Sequence, residues 1–239
     1  MPASRHGSKA VSMWSKGGGN GQNDLRLCSE ANTGDSNPLF NIGTASDGGS
    51  GSIDFYIRQS GWPTVNHIKT TAEPYDGEWH HVVFVQEGGE RRVYVDGELD
   101  DLEIVAKPEG DIRVNDTTIG GILRSSASHW VTGLIDDVAI WKRALSDDES
   151  AQLYKDGLSS VFPTLGNGLV AYWALDEVQG SKTPELVNGY DMELTNLSAD
   201  DVVEGRIGNA FSFSNEKQTL LSRVHDAADQ LPANKHESY

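Results

Sequence analysis

The sequence predicts an all-β protein of antiparallel strands with one short helix near residues 146–156. Three stretches carry that prediction. Residues 52–59, SIDFYIRQ, alternate: Ile53, Phe55 and Ile57 share one face and Asp54, Tyr56 and Arg58 the other, the pattern of a half-buried strand. Residues 78–86, EWHHVVFVQ, and 91–95, RRVYV, are separated by a Gly-Gly turn, and the second run ends on Asp96-Gly97. Both positions of an Asp-Gly pair tolerate positive φ, so residues 78–105 read as an antiparallel meander. The helix has separate signals. Ser146 and Glu149 form a capping box, acids at 147–149 meet the positive N-terminus, and Gly157 supplies the stop.

The remaining elements follow in chain order. Gly133 to Trp141, GLIDDVAIW, is apolar on both faces and belongs inside a sheet rather than at its edge. Residues 158–167, LSSVFPTLGN, read as a linker with Pro163 and Gly166 as breakers. Leu169 to Leu175, LVAYWAL, opens a fresh β-region that continues through Asp191–Asn196 and Asn209–Phe213.

Composition bounds the function. The chain has 239 residues, 37% of them hydrophobic, which suits one large β-domain or two small ones. A formal net charge of −17 repels phosphate backbones and argues against nucleic acid as a partner. A single cysteine, Cys28, allows no internal disulfide and reads as a small buried hydrophobe. No apolar run reaches membrane-spanning length, so membrane insertion is not expected. The opening MPASRHGSKAVSMW has no long apolar core, so a signal peptide is not expected within this chain.

The last nine residues, LPANKHESY, echo the first nine, MPASRHGSK, with Pro, Ala, His and Ser recurring in the same places. An offset that long fits an array of whole domains rather than a solenoid of short repeats. GLVAYWALDE at 168–177 and GRIGNAFSF at 205–213 resemble the opening of a laminin-G-like, concanavalin A-like jelly-roll domain. DGEWHHVVFV at 76–85, RRVYVDGEL at 91–99, TTIGG at 117–121 and GLIDDVAIWKRALSDDE at 133–149 resemble its closing part. The resemblance implies a two-sheet antiparallel β-sandwich. It also implies an order in which 1–157 is the later part of one domain, 158–167 a linker and 168–239 the early part of the next. First and last strands of this family lie side by side, so Leu169–Leu175 is expected to pair with Leu134–Trp141 and complete the sandwich in cis. The alternative is two incomplete halves with bare sheet edges.

Several residues invite chemistry. Trp62, His67 and Tyr75 fall in a long polar loop, 60–77, and His129 and Trp130 precede the last strand of the closing signature. Flat amphipathic rings on loops can stack on sugars or anchor a protein partner, so these five are the candidate ligand-binding residues. The competing reading is loop packing onto the end of the sandwich. Glu98, Asp100 and Glu103 resemble the acidic stripe of jelly-roll laminarinases, where retaining hydrolysis needs two carboxyl groups about 5–5.5 Å apart. Asp101 departs from that stripe, and a solvated hairpin arm is the favoured reading. His80 and His81 point to opposite faces of a strand and cannot share an ion. The resemblance also brings calcium as a candidate cofactor. Its candidate loops are Asp47-Gly48-Gly49, Asp111–Asp116 and Asp200-Asp201, with no ligand set assigned.

The expected function is non-catalytic recognition of a carbohydrate or of a cell-surface or extracellular partner, within a larger exported protein. A laminarinase-like glycoside hydrolase and a structural spacer are the alternatives. The step from fold to role is analogy, since sandwiches host unrelated functions.

Overall fold

The strand Gly133–Trp141 has a partner on both sides. In the computed structural model, residues 8–18, 22–46, 51–58, 66–87, 90–101 and 114–225 are described. The first strands are β1 (Ser8–Lys16), β2 (Arg26–Asn32), β3 (Asp35–Thr44), β4 (Ile53–Arg58) and β5 (Asn66–Lys69). The meander follows as β6 (Trp79–Glu87), β7 (Glu90–Val95) and β8 (Glu98–Leu99). Then come β9 (Asp116–Ile119), β10 (Ile122–Leu123), β11 (Ala127–Ser128) and β12 (Gly133–Trp141). Two helices, α1 (Asp147–Asp156) and α2 (Leu158–Leu165), lead to β13 (Leu169–Trp173), β14 (Lys182–Thr183) and β15 (Met192–Thr195). The last strands are β16 (Val202–Glu204), β17 (Asn209–Phe213) and β18 (Leu220–Val224).

The first sheet runs β16-β17-β12-β1-β6-β7-β8, with β13 also paired to β12. The second runs β14-β15-β18-β9-β2-β3-β4-β5. All named pairings in these sheets are antiparallel, and the fold is the all-β sandwich that the alternation predicts. The Asp96-Gly97 turn has φ of 52° and 81°, which joins β7 to β8 as the dipeptide requires.

β12 is central. β1 covers one side of it, from Ala10↔Trp141 to Lys16↔Leu134. Its other side is divided: β13 takes Val138–Trp141 and β17 takes Gly133–Ile135. The inner faces meet in one apolar core that includes Met13, Phe55, Phe84, Ile135, Val138, Trp173, Phe211 and Leu221. Ile53, Phe55 and Ile57 point into it, as their alternation dictates. Cys28 is buried there as well, and burial pushes its thiol pKa up, away from reactivity.

α1 keeps its capping box: the Glu149 N–H donates to Ser146 Oγ at 3.2 Å and the Ser146 N–H to Glu149 Oε2 at 2.9 Å. The expectation of one helix and an irregular linker over 158–167 is corrected. Leu158–Leu165 is helical because Leu158, Val161 and Leu165 recur at helical spacing and bury against the outer face of the first sheet. Trp141 Nε1 donates to the Leu165 carbonyl at 2.8 Å and ties the helix end down. Pro163 is accommodated because it lies on the exposed side of a two-turn helix.

The joint between β12 and the C-terminal segment is acidic. Asp136 is fully buried and accepts from the Arg206 and Ile207 N–H groups at 2.8 and 3.0 Å. Gly205 lets this loop close in, since a Cβ there would stand 2.5 Å from the Asn209 carbonyl. Burial, helped by the neighbouring charge of Asp137, pushes the Asp136 pKa up to about 8, while burial and Asp176 bring Asp137 to about 6.

Two predictions follow from this joint. The folded protein keeps a proton on Asp136 that an ordinary unfolded aspartate releases near pH 4, so its contribution to stability is full below about pH 4 and is lost as pH rises to about 8. Asp136→Asn keeps an acceptor for both N–H groups and removes the charge. It is expected to raise stability at pH 8 by roughly 1–3 kcal/mol and flatten the pH profile in urea denaturation; an unchanged slope contradicts the assignment. Trp173 is fully buried and donates from Nε1 to the Tyr190 carbonyl at 2.9 Å. Trp173→Ala is expected to cost about 3–5 kcal/mol in one cooperative transition; separate melting of the C-terminal segment would contradict the shared core.

Candidate functional site

The outer face of the second sheet carries a cleft of about 150 Å³. Strand register builds it. Asn41 on β3 lies opposite Tyr56 on β4, and Tyr56 lies opposite His67 on β5, so three side chains form one row. Leu39 and Arg58 form the next row. These are the positions that alternate with the core residues Phe40, Ile42, Phe55 and Ile57. The β10–β11 hairpin closes one side, with Ile122 packed among Ala31, Leu39 and Tyr56. Arg26, Arg124, Asp24 and His129 complete the wall.

Backbone contacts fix that wall. The Arg26 N–H donates to the His129 carbonyl at 3.0 Å, which holds the segment after the hairpin along the start of β2. Asp24 and His129 both adopt left-handed φ, at 57° and 55°, a conformation these residue types tolerate. The side chains then converge. Arg26 pairs with Asp24 at 2.6 Å, and His129 Nε2 lies 3.6 Å from the same carboxylate. Arg58 donates twice to the Tyr56 hydroxyl, at 3.1 and 2.6 Å. The Tyr56 ring lies 4.4 Å from the His67 ring and 5.4 Å from the Arg58 guanidinium. His67 Nδ1 is hydrogen-bonded to the buried Asp54 carboxylate. Burial pushes the Asp54 pKa up, against the lowering effect of His67.

The sequence candidates divide. His67 and His129 line this cleft. His67 lies on β5, so the expectation of one polar loop over 60–77 is corrected. Tyr75 is corrected too: it is 4% exposed in the central core and donates its hydroxyl to the Thr132 carbonyl at 2.8 Å. Trp130 is half-buried behind the wall, with its indole edge beside Gly121. Trp62 lies outside the described residues, as do residues 1–7 and 231–239 of the terminal echoes. Arg26, Asn41, Tyr56, Arg58 and Arg124 escaped the sequence reading. Tyr56 and Arg58 were legible as the polar face of a strand, but nothing in the linear pattern joined them to Arg26 or Arg124.

The acidic stretch near the β7–β8 hairpin has structural work. Both carboxylate oxygens of Asp100 accept backbone N–H groups, from Thr71 and Ala72, each at 2.9 Å. Glu98 is exposed on β8, and Glu103 lies outside the described residues. Of the calcium loops, 47–49 and 111–113 lie outside the described residues, while Asp201 caps a short turn and pairs with Lys217 at 3.1 Å. Among the described residues no three His, Cys, Asp or Glu side chains are grouped to hold a metal ion.

His67→Ala leaves the buried Asp54 carboxylate without this partner. It is expected to cost about 1–3 kcal/mol at pH 7 by chemical denaturation, and less at acid pH, where Asp54 is protonated and its burial is cheaper. An equal loss at both pH values would show that the ring contributes by packing alone.

Comparison with known proteins places the fold. Residues 3–150 match the laminin-G-type family described as the concanavalin A-like lectin/glucanases superfamily. The human adhesion G-protein coupled receptor D1 is 32% identical over 130 residues, covering 50% of this chain and 14% of the receptor. The chain thus spans about one seventh of that relative. Among solved structures, the carbohydrate-binding module of the Ruminococcus gnavus IT-sialidase, bound to α2,3-sialyllactose, aligns with a TM-score of 0.52 at 17% identity over 62% of this chain and 82% of its own. A heptameric pentraxin from Limulus polyphemus aligns at 0.46 and 19% identity, over 62% of this chain and 69% of its own. With the family match over more than half of its length and the two-sheet sandwich, this chain belongs to the laminin-G-type branch of the concanavalin A-like lectin/glucanases superfamily.

Proposed function

We propose that this protein is a non-catalytic recognition module that binds glycan in the cleft between β2–β5 and the β10–β11 hairpin, as part of a larger exported protein. One observation carries the reading: the cleft sets a tyrosine ring and an imidazole beside converging guanidinium groups. Aromatic faces cover the apolar face of a sugar, and fixed polar groups orient its hydroxyls. The fold shared with a sialidase carbohydrate-binding module supports this class of role, and so does the sequence likeness to an adhesion receptor. Asp100, tied up by two N–H groups, weighs against the laminarinase-like alternative.

The architecture bears on the context of the module. The family match ends at residue 150, and β13 and β17 come from beyond it to cover β12. That supports reading 1–157 and 168–239 as parts of two laminin-G-like units that complete one sandwich in cis. No helix among the described residues is long and apolar enough to cross a membrane.

A glycan array probed with the full chain tests the role. Tyr56→Ala is expected to reduce binding to the best glycans at least tenfold. Retained binding would move the site away from this cleft, and an empty array would reject glycan recognition.

A further inference from the structure

Behind His67 stands a buried carboxylate, Asp54. It lies on the outer face of β4, opposite Gly43 on β3 and Lys69 on β5. The chain entering β2 lies against this row: a Cβ at Gly43 would stand 1.9 Å from the Leu25 carbonyl. Only 2% of Asp54 is exposed. One carboxylate oxygen, Oδ2, is bonded to His67 Nδ1, and Oδ1 has no hydrogen-bond partner among the described residues. Burial works against the charge of Asp54, while His67, Arg26 and Lys69 support it. A buried carboxylate held by so few bonds is a costly brace for a strand. Its place is explained by the ring it holds.

His67 is the diagonal neighbour of Asp54 across the β4–β5 pairing, since Tyr56 lies opposite His67 and Asp54 opposite Lys69. The imidazole rests beside the Tyr56 ring, with 4.4 Å between centroids, and its side chain is 39% exposed. With Nδ1 turned to the buried carboxylate, Nε2 is the ring nitrogen left to the cleft. We propose that Asp54 is a positioning residue for glycan recognition, holding His67 in the Nδ1–H form so that Nε2 accepts a hydrogen bond from a sugar hydroxyl. The proposal rests on the glycan reading of the cleft. An ionised carboxylate can only accept, so Nδ1 carries the proton and Nε2 keeps its lone pair. The guanidinium groups of the cleft can only donate. A sugar hydroxyl both donates and accepts, so a fixed acceptor beside those donors lets it use both roles. A ring already held in place also loses less freedom when the sugar arrives.

Long-range proton–nitrogen correlation NMR on the free full chain, with isotope-labelled histidine, reads the position of the ring proton. His67 is identified by the signal lost in His67→Gln. At pH 8, above the ordinary histidine range, it is expected to show a protonated Nδ1 and a bare Nε2. A proton on Nε2, in the other neutral form or in imidazolium, would overturn the proposal without touching the glycan reading. Asp54→Asn keeps the shape of the side chain and removes the buried charge, and its amide nitrogen can donate to Nδ1 and drive the proton to Nε2. The variant is expected to keep or raise its urea midpoint while the concentration that half-saturates its best glycans on an array rises about tenfold, the effect of one lost hydrogen bond. Unchanged array binding would overturn the positioning role, and so would a midpoint that falls together with binding, which marks Asp54 as structural. An array left empty by the unsubstituted chain would reject the glycan reading and with it any part of His67 in recognition.

Discussion

Everything in this sandwich depends on β12 being covered on both edges. The strand is apolar on both faces and has β1 on one side, so an uncovered second edge would expose a row of backbone donors and acceptors beside a core. Two strands from later in the chain share that edge, β13 along one half and β17 along the other. The same segment sends β15 and β18 to the opposite sheet, where β18 pairs with β9. Residues 169–224 therefore close the sandwich at both layers, and Trp173, Phe211, Phe213 and Leu221 enter the core that Met13 and Phe84 begin.

That closure also explains the acid cluster at the joint. Asp136 is enclosed because the loop 205–209 must pass over β12 to deliver β17, and its carboxylate satisfies two N–H groups of that loop. Tyr172 donates to Asp137 from the other newly arrived strand. Polar groups at a buried seam fix register, at the cost of holding carboxyl groups where their charged forms are disfavoured.

The cleft sits on the far side of the second sheet, away from this seam. Its walls come from consecutive hairpins, β2 to β5, plus the β10–β11 hairpin. Rigid strands thus carry Asn41, Tyr56, Arg58 and His67, while Arg124 and His129 arrive on the hairpin side. Side chains set on strands keep their spacing better than side chains on loops, which suits a recognition surface.

The sequence by itself determined the strand periods, the Asp-Gly turn, the capping box of α1 and the family resemblance, because each is a local pattern with a local physical cause. It also marked Ile53, Phe55 and Ile57 as core and Asp54, Tyr56 and Arg58 as the opposite face. Tertiary structure decided the rest. Residues 158–165 became a helix because the outer face of the first sheet offered an apolar surface to three residues at helical spacing, outweighing Pro163. Tyr75 turned inward because the Thr132 carbonyl and the core were within its reach. Arg26 and Arg124 met Arg58 only because pairing of β2, β3 and β4 and the fold-over of the β10–β11 hairpin brought residues 32 and 66 positions away from it to one cleft. No periodicity encodes such a meeting, since it arises from register between strands and not from spacing along any one of them.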